Sequence, residues 1–154
     1  MRVSTKGRNA LRVLLELAKI KDERFVPLKE IALKHGISKN YLEQIMPLLH
    51  KARLVKTTRG FQGGYRLAKP PEEYSLGDIL RVTEGNIAPV VCLDNGLAVE
   101  CNRMDKCPTI EIWQGLNKVM LDYIDNISLK DILEKERSVL IDEKDEESAA
   151  EQAL

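Results

Sequence analysis

Apolar positions recur at helical spacing over several stretches of this chain and alternate over one short hairpin between them. From Thr5 to Lys19, Leu11, Leu14, Leu15 and Ala18 mark one face and predict a first helix. Val26-Pro27 interrupts. Leu28 to His35 then supplies a short second helix, with Ile31 and Ala32 inward and Gly36 as its C-terminal stop. Ser38 follows a Gly-Ile turn and suits an N-cap, so a third helix starts at Lys39. Leu42, Ile45, Leu48, Leu49 and Ala52 form its buried stripe, which leaves Lys39, Asn40, Glu43 and Gln44 for the solvent face. Pro47 lies inside this helix, removes the amide bond back to Glu43 and predicts a kink that aims Lys39 to Met46 away from the core. Leu54 to Thr58 is β-branched and partly alternating, Arg59 to Gly64 is glycine-rich turn chemistry, and Tyr65-Arg66-Leu67 returns as a strand.

After this hairpin the chain turns acidic and changes character. Pro70-Pro71-Glu72-Glu73 is a stiff connector, Ser75-Leu76-Gly77-Asp78 matches a capping box, and a helix runs from Leu76 to about Glu84, ended by Gly85. Residues 86–107 have neither periodicity, contain Asn95-Gly96 and hold every cysteine. A structureless loop of that length usually carries function. Pro108 fits the first position of a long helix reaching about Asn126. Its apolar residues form two stripes, Ile110, Trp113, Met120 and Ile124 on one line and Ile112, Leu116, Val119 and Tyr123 on the other. One small domain cannot cover both, so the helix is expected to bury one stripe against a second copy in a homodimer. Ser128 to Asp131 repeats the capping box, and a short last helix to about Glu136 is expected to fold back on this arm. The final DEKDEESAAEQAL is acidic and poor in core residues.

The expected fold is therefore mostly α with a small β-wing, a winged helix-turn-helix domain followed by a long dimerisation helix. The expected units are the winged helix-turn-helix at residues 1–85, the cysteine loop at 86–107, the dimerisation helix and short last helix at 108–137, and the acidic tail at 138–154.

Charge sharpens this division. The whole chain of 154 residues carries 24 Lys/Arg and 24 Asp/Glu, a net charge of zero. Split at the end of the wing, residues 1–69 hold 16 basic against 5 acidic residues, or +11, and residues 70–154 hold 8 against 19, or −11. Basic charge gathered on the helix and wing is the footprint of phosphate binding. Polar side chains near the start of a helix entering the major groove are what base readout requires, and Arg59 beside Gly60 can approach a backbone or a minor groove closely. No signal peptide opens the chain and no apolar run approaches the roughly 20 residues of a membrane span, so a cytoplasmic protein without membrane contact is expected. Catalysis is not indicated. The glycine-rich tip matches neither the dinucleotide fingerprint nor the P-loop, and no nucleophile motif appears. His35 and His50, each near a helix C-terminus, are read as caps.

Ser38, the Tyr41-Leu42-Glu43-Gln44 run, Arg59-Gly60 and the run from Gly63 to Ala68 resemble the bacterial winged-helix regulators typified by the iron–sulfur assembly regulator and the nitric-oxide sensor repressor. The likeness covers roughly residues 1–135. It implies a dimer that reads a palindromic operator in double-stranded DNA, with Ser38, Tyr41, Glu43, Gln44 and Arg59 approaching it. Lys39, Asn40 and Gly60 join this set from their positions on the same surfaces.

Cys92, Cys101 and Cys107 follow a C-x8-C-x5-C pattern. Three thiolates on one loop suit an iron–sulfur cluster, a zinc ion without the usual tight pairs, or oxidant-sensing thiols, and the residues alone leave all three open. The resemblance implies the cluster, 2Fe–2S ahead of 4Fe–4S, with an unknown fourth ligand. The chain departs from the family here: Ile110 stands where the assembly regulator has a ligating histidine, and Arg8 where the nitric-oxide sensor has an acidic ligand. The function implied is a repressor that senses cluster or redox status and controls cluster-biogenesis genes. The alternatives are a clusterless regulator of cysteine or sulfur metabolism governed by a protein partner, and a zinc or thiol redox sensor. Outside gene regulation, an electron carrier or a protein-interaction adaptor would use the same fold, but the basic half speaks for nucleic acid.

Overall fold

The computed structural model describes residues 3–22, 24–60, 63–93, 101 and 104–139. The expected acidic tail beyond residue 139, the wing-tip residues Phe61 and Gln62, and Asn95-Gly96 lie outside the described residues. Among the described residues six α-helices and one antiparallel hairpin follow in chain order: α1 Thr5–Ala18, α2 Leu28–His35, α3 Lys39–Lys51, β1 Val55–Thr58, β2 Gly64–Leu67, α4 Leu76–Glu84, α5 Ile110–Asp125 and α6 at residues 129–139. Short 3-10 turns at Pro71–Glu73, Val91–Leu93 and Met104–Lys106 punctuate the links. This is the expected winged helix followed by a long helix.

Side-chain caps account for where the helices begin. Ser4, Ser38 and Ser75 each accept a hydrogen bond from a first-turn amide, at Gly7, Tyr41 and Asp78 respectively. At α6 the capping box is reciprocal: the Asp131 amide donates to Ser128 Oγ at 3.1 Å, and the Ser128 amide donates to Asp131 Oδ2 at 2.8 Å. At α5 the expectation fails by two residues. Pro108 lies in a turn, and the helix starts at Ile110 with Thr109 as N-cap.

One core joins α1, α2, α3, the base of the wing, Tyr74, Ile79 and Leu129. The buried face of α1 is Ala10, Val13, Leu14 and Leu17, with Leu11, Leu15 and Ala18 only at its edge. The buried face is thus turned from the one expected, and α4 packs on the same helix. In α3 the buried stripe is Leu42, Ile45, Met46 and Leu49, and Leu48 is exposed. Pro47 does not interrupt the helix, which continues through it to Lys51. Pro47 and Glu43 are both exposed, so the carbonyl left without an amide partner lies on the wet side.

The wing is pinned as well as paired. Val55 faces Leu67, Lys56 faces Arg66, Thr57 faces Tyr65 and Thr58 faces Gly64. Val26 adds a one-residue bridge, its amide donating to the Tyr65 carbonyl at 2.8 Å and its carbonyl accepting from the Tyr65 amide at 2.9 Å. A Cβ at Gly64 would stand 2.4 Å from the Val26 carbonyl oxygen, so this approach requires glycine.

A smaller cluster of Leu80, Ile87 and Ile124 fastens α4 to α5, helped by Arg81 Nη2 at 2.7 Å from Asp125 Oδ2. The last helix is anchored on the winged unit. Leu129 enters the main core, its amide donates to the Tyr74 carbonyl at 2.9 Å, and Glu136 pairs with Lys19 of α1 at 2.7 Å. Its apolar side finds the winged unit because Ser128 bridges Ser75 at the start of α4.

Candidate nucleic-acid interface and cysteine segment

The first turns of α3 present Ser38, Lys39, Asn40, Glu43 and Gln44 to solvent, while Tyr41 is half-buried against the core edge. This follows from the stripe at Leu42, Ile45, Met46 and Leu49, which turns the intervening positions outward. Ser38 spends its acceptor on the Tyr41 amide at 3.1 Å, and the Lys39 ammonium lies 2.9 Å from Glu43 Oε1. That pair leaves Asn40 and Gln44, four residues apart on one face, as uncharged donor–acceptor groups. At the wing tip Arg59 and Gly60 are exposed, Gly60 has φ 105°, and the Gly63 amide closes the turn on the Gly60 carbonyl at 2.9 Å.

Two interior polar sites hold this surface in place. The fully buried Tyr74 hydroxyl donates to the Leu54 carbonyl at 2.8 Å and accepts from the Ala68 and Lys69 amides, each at 2.9 Å, so it clasps both strand ends at the wing base. Burial, partly offset by these amides, raises its pKa. Sequence reasoning passed over Tyr74. The signal available was its place just before the Ser75 cap with Ile79 at the fourth helical position, a hydrophobic staple. The second site is buried Glu16 of α1, which meets Lys34 and, at 3.3 Å, His35 Nε2, both from α2, and Lys19 at 3.5 Å. Burial pushes Glu16 up, but Lys34, then Lys19, outweigh it and leave the carboxyl below its ordinary value. His35 is thus a carboxylate partner and not the expected cap, while His50 Nδ1 lies 3.2 Å from the Val55 carbonyl and ties the end of α3 to β1.

The three cysteines are half-buried and unpaired. Cys92 sits in the turn Val91–Leu93, which packs on α5. Cys101 accepts at its carbonyl from the Met104 amide at 2.9 Å, and Cys107 accepts from the Ile110 amide at 3.3 Å, so both lead into the start of α5. The Thr109 hydroxyl, 3.3 Å from Cys107 Sγ, and the Thr109 amide lower the pKa of that thiol. Among the described residues, no three His, Cys, Asp or Glu side chains are gathered closely enough to hold a metal ion. Thiolates are the donor type that iron–sulfur clusters take, and the three cysteines would supply three of the ligands.

Along α5 the two stripes separate as expected. Ile124 is buried and Ile110, Trp113 and Met120 are half-buried, whereas Ile112, Leu116, Val119 and Tyr123 are 63%, 49%, 68% and 66% exposed. No helix among the described residues is long and apolar enough to cross a membrane.

The model of a protein family described as Rrf2, an iron-dependent transcriptional regulator, matches residues 3–135. The HTH-type transcriptional regulator CymR of Bacillus subtilis is 37% identical over 132 residues, covering 86% of this chain and 89% of the relative. IscR of Vibrio cholerae, also an HTH-type transcriptional regulator, is 33% identical over 133 residues, covering 86% and 75%. The solved structure of B. subtilis CymR, described as the global cysteine regulator, superposes with a TM-score of 0.66 at 36% identity over 88% of this chain and 98% of that one.

Proposed function

The chain belongs to the Rrf2 family and is a DNA-binding transcriptional regulator with a winged helix, and from that premise we propose a homodimeric repressor that reads a palindromic operator. The observation that carries this is the exposure of both the start of α3 and the wing tip on the half of the chain that carries +11. In this reading Ser38, Lys39, Asn40, Tyr41, Glu43 and Gln44 enter the major groove, and Arg59 with Gly60 reaches the flanking backbone or minor groove. The exposed stripe of α5 supports dimerisation, since Ile112, Leu116, Val119 and Tyr123 form one continuous apolar line. Residues up to 85 and α6 together form the reading unit, α5 the dimer arm, and 86–107 the sensing segment between them. The bacterial cytoplasm is where such an operator lies.

The cysteine segment is where the signal enters. Its position between α4 and α5 supports this, because any change there alters how the reading unit sits on the arm and hence the spacing of the two half-sites. In the first reading Cys92, Cys101 and Cys107 hold an iron–sulfur cluster after the loop has closed, a reading supported by the iron-dependent description of the family. A second reading, a clusterless regulator of sulfur metabolism, is favoured by the likeness to CymR, whose solved structure is described as that of the global cysteine regulator. Anaerobic purification with iron and sulfide analysis separates them. Stoichiometric iron lost in each single Cys→Ala variant, with an altered operator affinity, supports the cluster. Iron-free protein that binds the operator with full affinity supports the clusterless regulator, and no operator preference at all refutes both.

A further inference from the structure

The turn between α2 and α3 carries an open groove of about 500 Å³. Ala32, Leu33 and Ile37 give it an apolar lining, Lys29 and Lys39 complete it, and among the described residues no acidic side chain lines it. Gly36 leaves room, since a Cβ there would meet nothing within 4 Å. Leu33 is 74% exposed, more than any other large apolar side chain among the described residues, the stripe of α5 included. A single exposed leucine is ordinary on a protein surface, so the choice of occupant rests on where the chain goes next.

The last helix leads to this place. Glu136 pairs with Lys19 at 2.7 Å, Lys19 reaches Glu16 at 3.5 Å, and Glu16 meets Lys34, the residue after Leu33. The last turns of α6 thus stand three contacts from the groove, and Val139 at their end is 55% exposed. Residues 140–154 follow, and fifteen residues can extend about 50 Å, ample for a path of this kind. Their composition suits the groove. Asp142 to Glu147 holds five acidic residues and one lysine, and Ala149, Ala150, Ala153 and Leu154 come after it. On the receiving side Lys29 has no ion-pair partner among the described residues. The acids of the surrounding helices are each engaged already, Glu16 with Lys34, Glu30 with Arg24 and Glu43 with Lys39.

We propose that residues 140–154 dock in this groove of their own protomer, with the acidic run beside Lys29 and Lys39 and the apolar end covering Leu33 and Ile37. Docking itself does not depend on what the winged helix reads. Its consequence rests on the function proposed above: Ser38 and Lys39 line the groove and also open α3, so the segment and a DNA duplex compete for the same residues. The chain then carries its own competitor, and its affinity for DNA is set by an equilibrium within one molecule.

Amide NMR of the full chain tests docking without DNA. The variant Asp142→Asn/Glu143→Gln/Asp145→Asn/Glu146→Gln/Glu147→Gln should move the signals of residues 29–39 and leave those of the hairpin in place, and Leu33→Ser should move those of residues 149–154. Leu33 is exposed, so its replacement leaves the core intact. Competition is read with a random-sequence duplex, which the neutralised variant and Leu33→Ser should each bind about fivefold more tightly, with no further gain when the two are combined. Leu33→Ser changes no charge, so its gain separates docking from a general loss of negative charge. Unmoved signals at residues 29–39 in the neutralised variant, or signals there that follow dilution and not the tail, as for contact between copies, would overturn the docking. The expected shifts with one duplex affinity in all variants would uphold the docking and overturn the start of α3 as the DNA-reading surface.

Discussion

Removing one oxygen atom from the chain, by Tyr74→Phe, tests whether the wing is held from inside the core. The hydroxyl serves three backbone groups, the Leu54 carbonyl and the Ala68 and Lys69 amides. Two of these have a fallback, since the Ala68 amide also donates to the Leu54 carbonyl at 3.2 Å. The Lys69 amide has none among the described residues, so one donor loses its partner and two good bonds are reduced to a long one. The Lys69 amide is part-buried and can turn to water, so the loss is that of the bonds themselves, about 1 kcal/mol net each and about 2 kcal/mol for the two without an equal replacement. The assay is urea denaturation at fixed protein concentration, with the midpoint falling and the slope unchanged. Linkage supplies a second readout. Burial raises the Tyr74 pKa in the folded chain, so its contribution is complete below the unfolded value of about 10 and is lost as pH rises through the higher folded value. The stability curves of wild type and Tyr74→Phe should therefore converge above about pH 10. A loss under about 0.5 kcal/mol at neutral pH, or parallel curves across the alkaline range, would refute the reasoning.

Arg59→Ala should weaken operator binding about tenfold in gel-shift titration at fixed salt, and Lys69→Ala far less, because Lys69 lies beyond β2 at the wing base; equal small losses would count against the wing as a reader. Leu116→Asp or Val119→Asp should dissociate the dimer by about 3 kcal/mol or more in sedimentation, since a charge would enter the exposed stripe of α5. Either is a cleaner probe than Trp113→Asp, because Trp113 is half-buried in its own protomer with Nε1 3.1 Å from Thr109 Oγ1. Glu16→Gln should cost stability at neutral pH and flatten the acid limb: the lowered folded pKa makes the Glu16 contribution complete above its unfolded value of about 4.5 and lost as pH falls through the folded one. A variant with the same acid midpoint as wild type would show that Lys34 and Lys19 do not depend on this carboxylate.

Local chemistry was legible in the sequence. Ser38 and Ser75 cap where expected, the Ser128–Asp131 box closes on itself, and Gly36 ends α2 in the left-handed conformation. These features depend on residues within one helical turn, so spacing alone determines them. The two stripes of α5 were legible for the same reason, and so was the separation of basic and acidic halves. Tertiary structure decided what each face meets. Spacing defines an apolar arc but not its centre, so α1 is buried at Ala10 and Val13 and Met46 takes the place expected for Leu48. The goal of α6 was hidden because the Ser75–Ser128 bridge joins segments more than fifty residues apart in the chain. Tyr74 reads in sequence as an aromatic residue in a linker, and only the fold brings Leu54, Ala68 and Lys69 around its hydroxyl. The three cysteines show the same limit most plainly: their order suggests a common centre, yet whether three thiols meet depends on how the loop closes on α5, a free-energy balance between loop entropy and whatever the thiols bind.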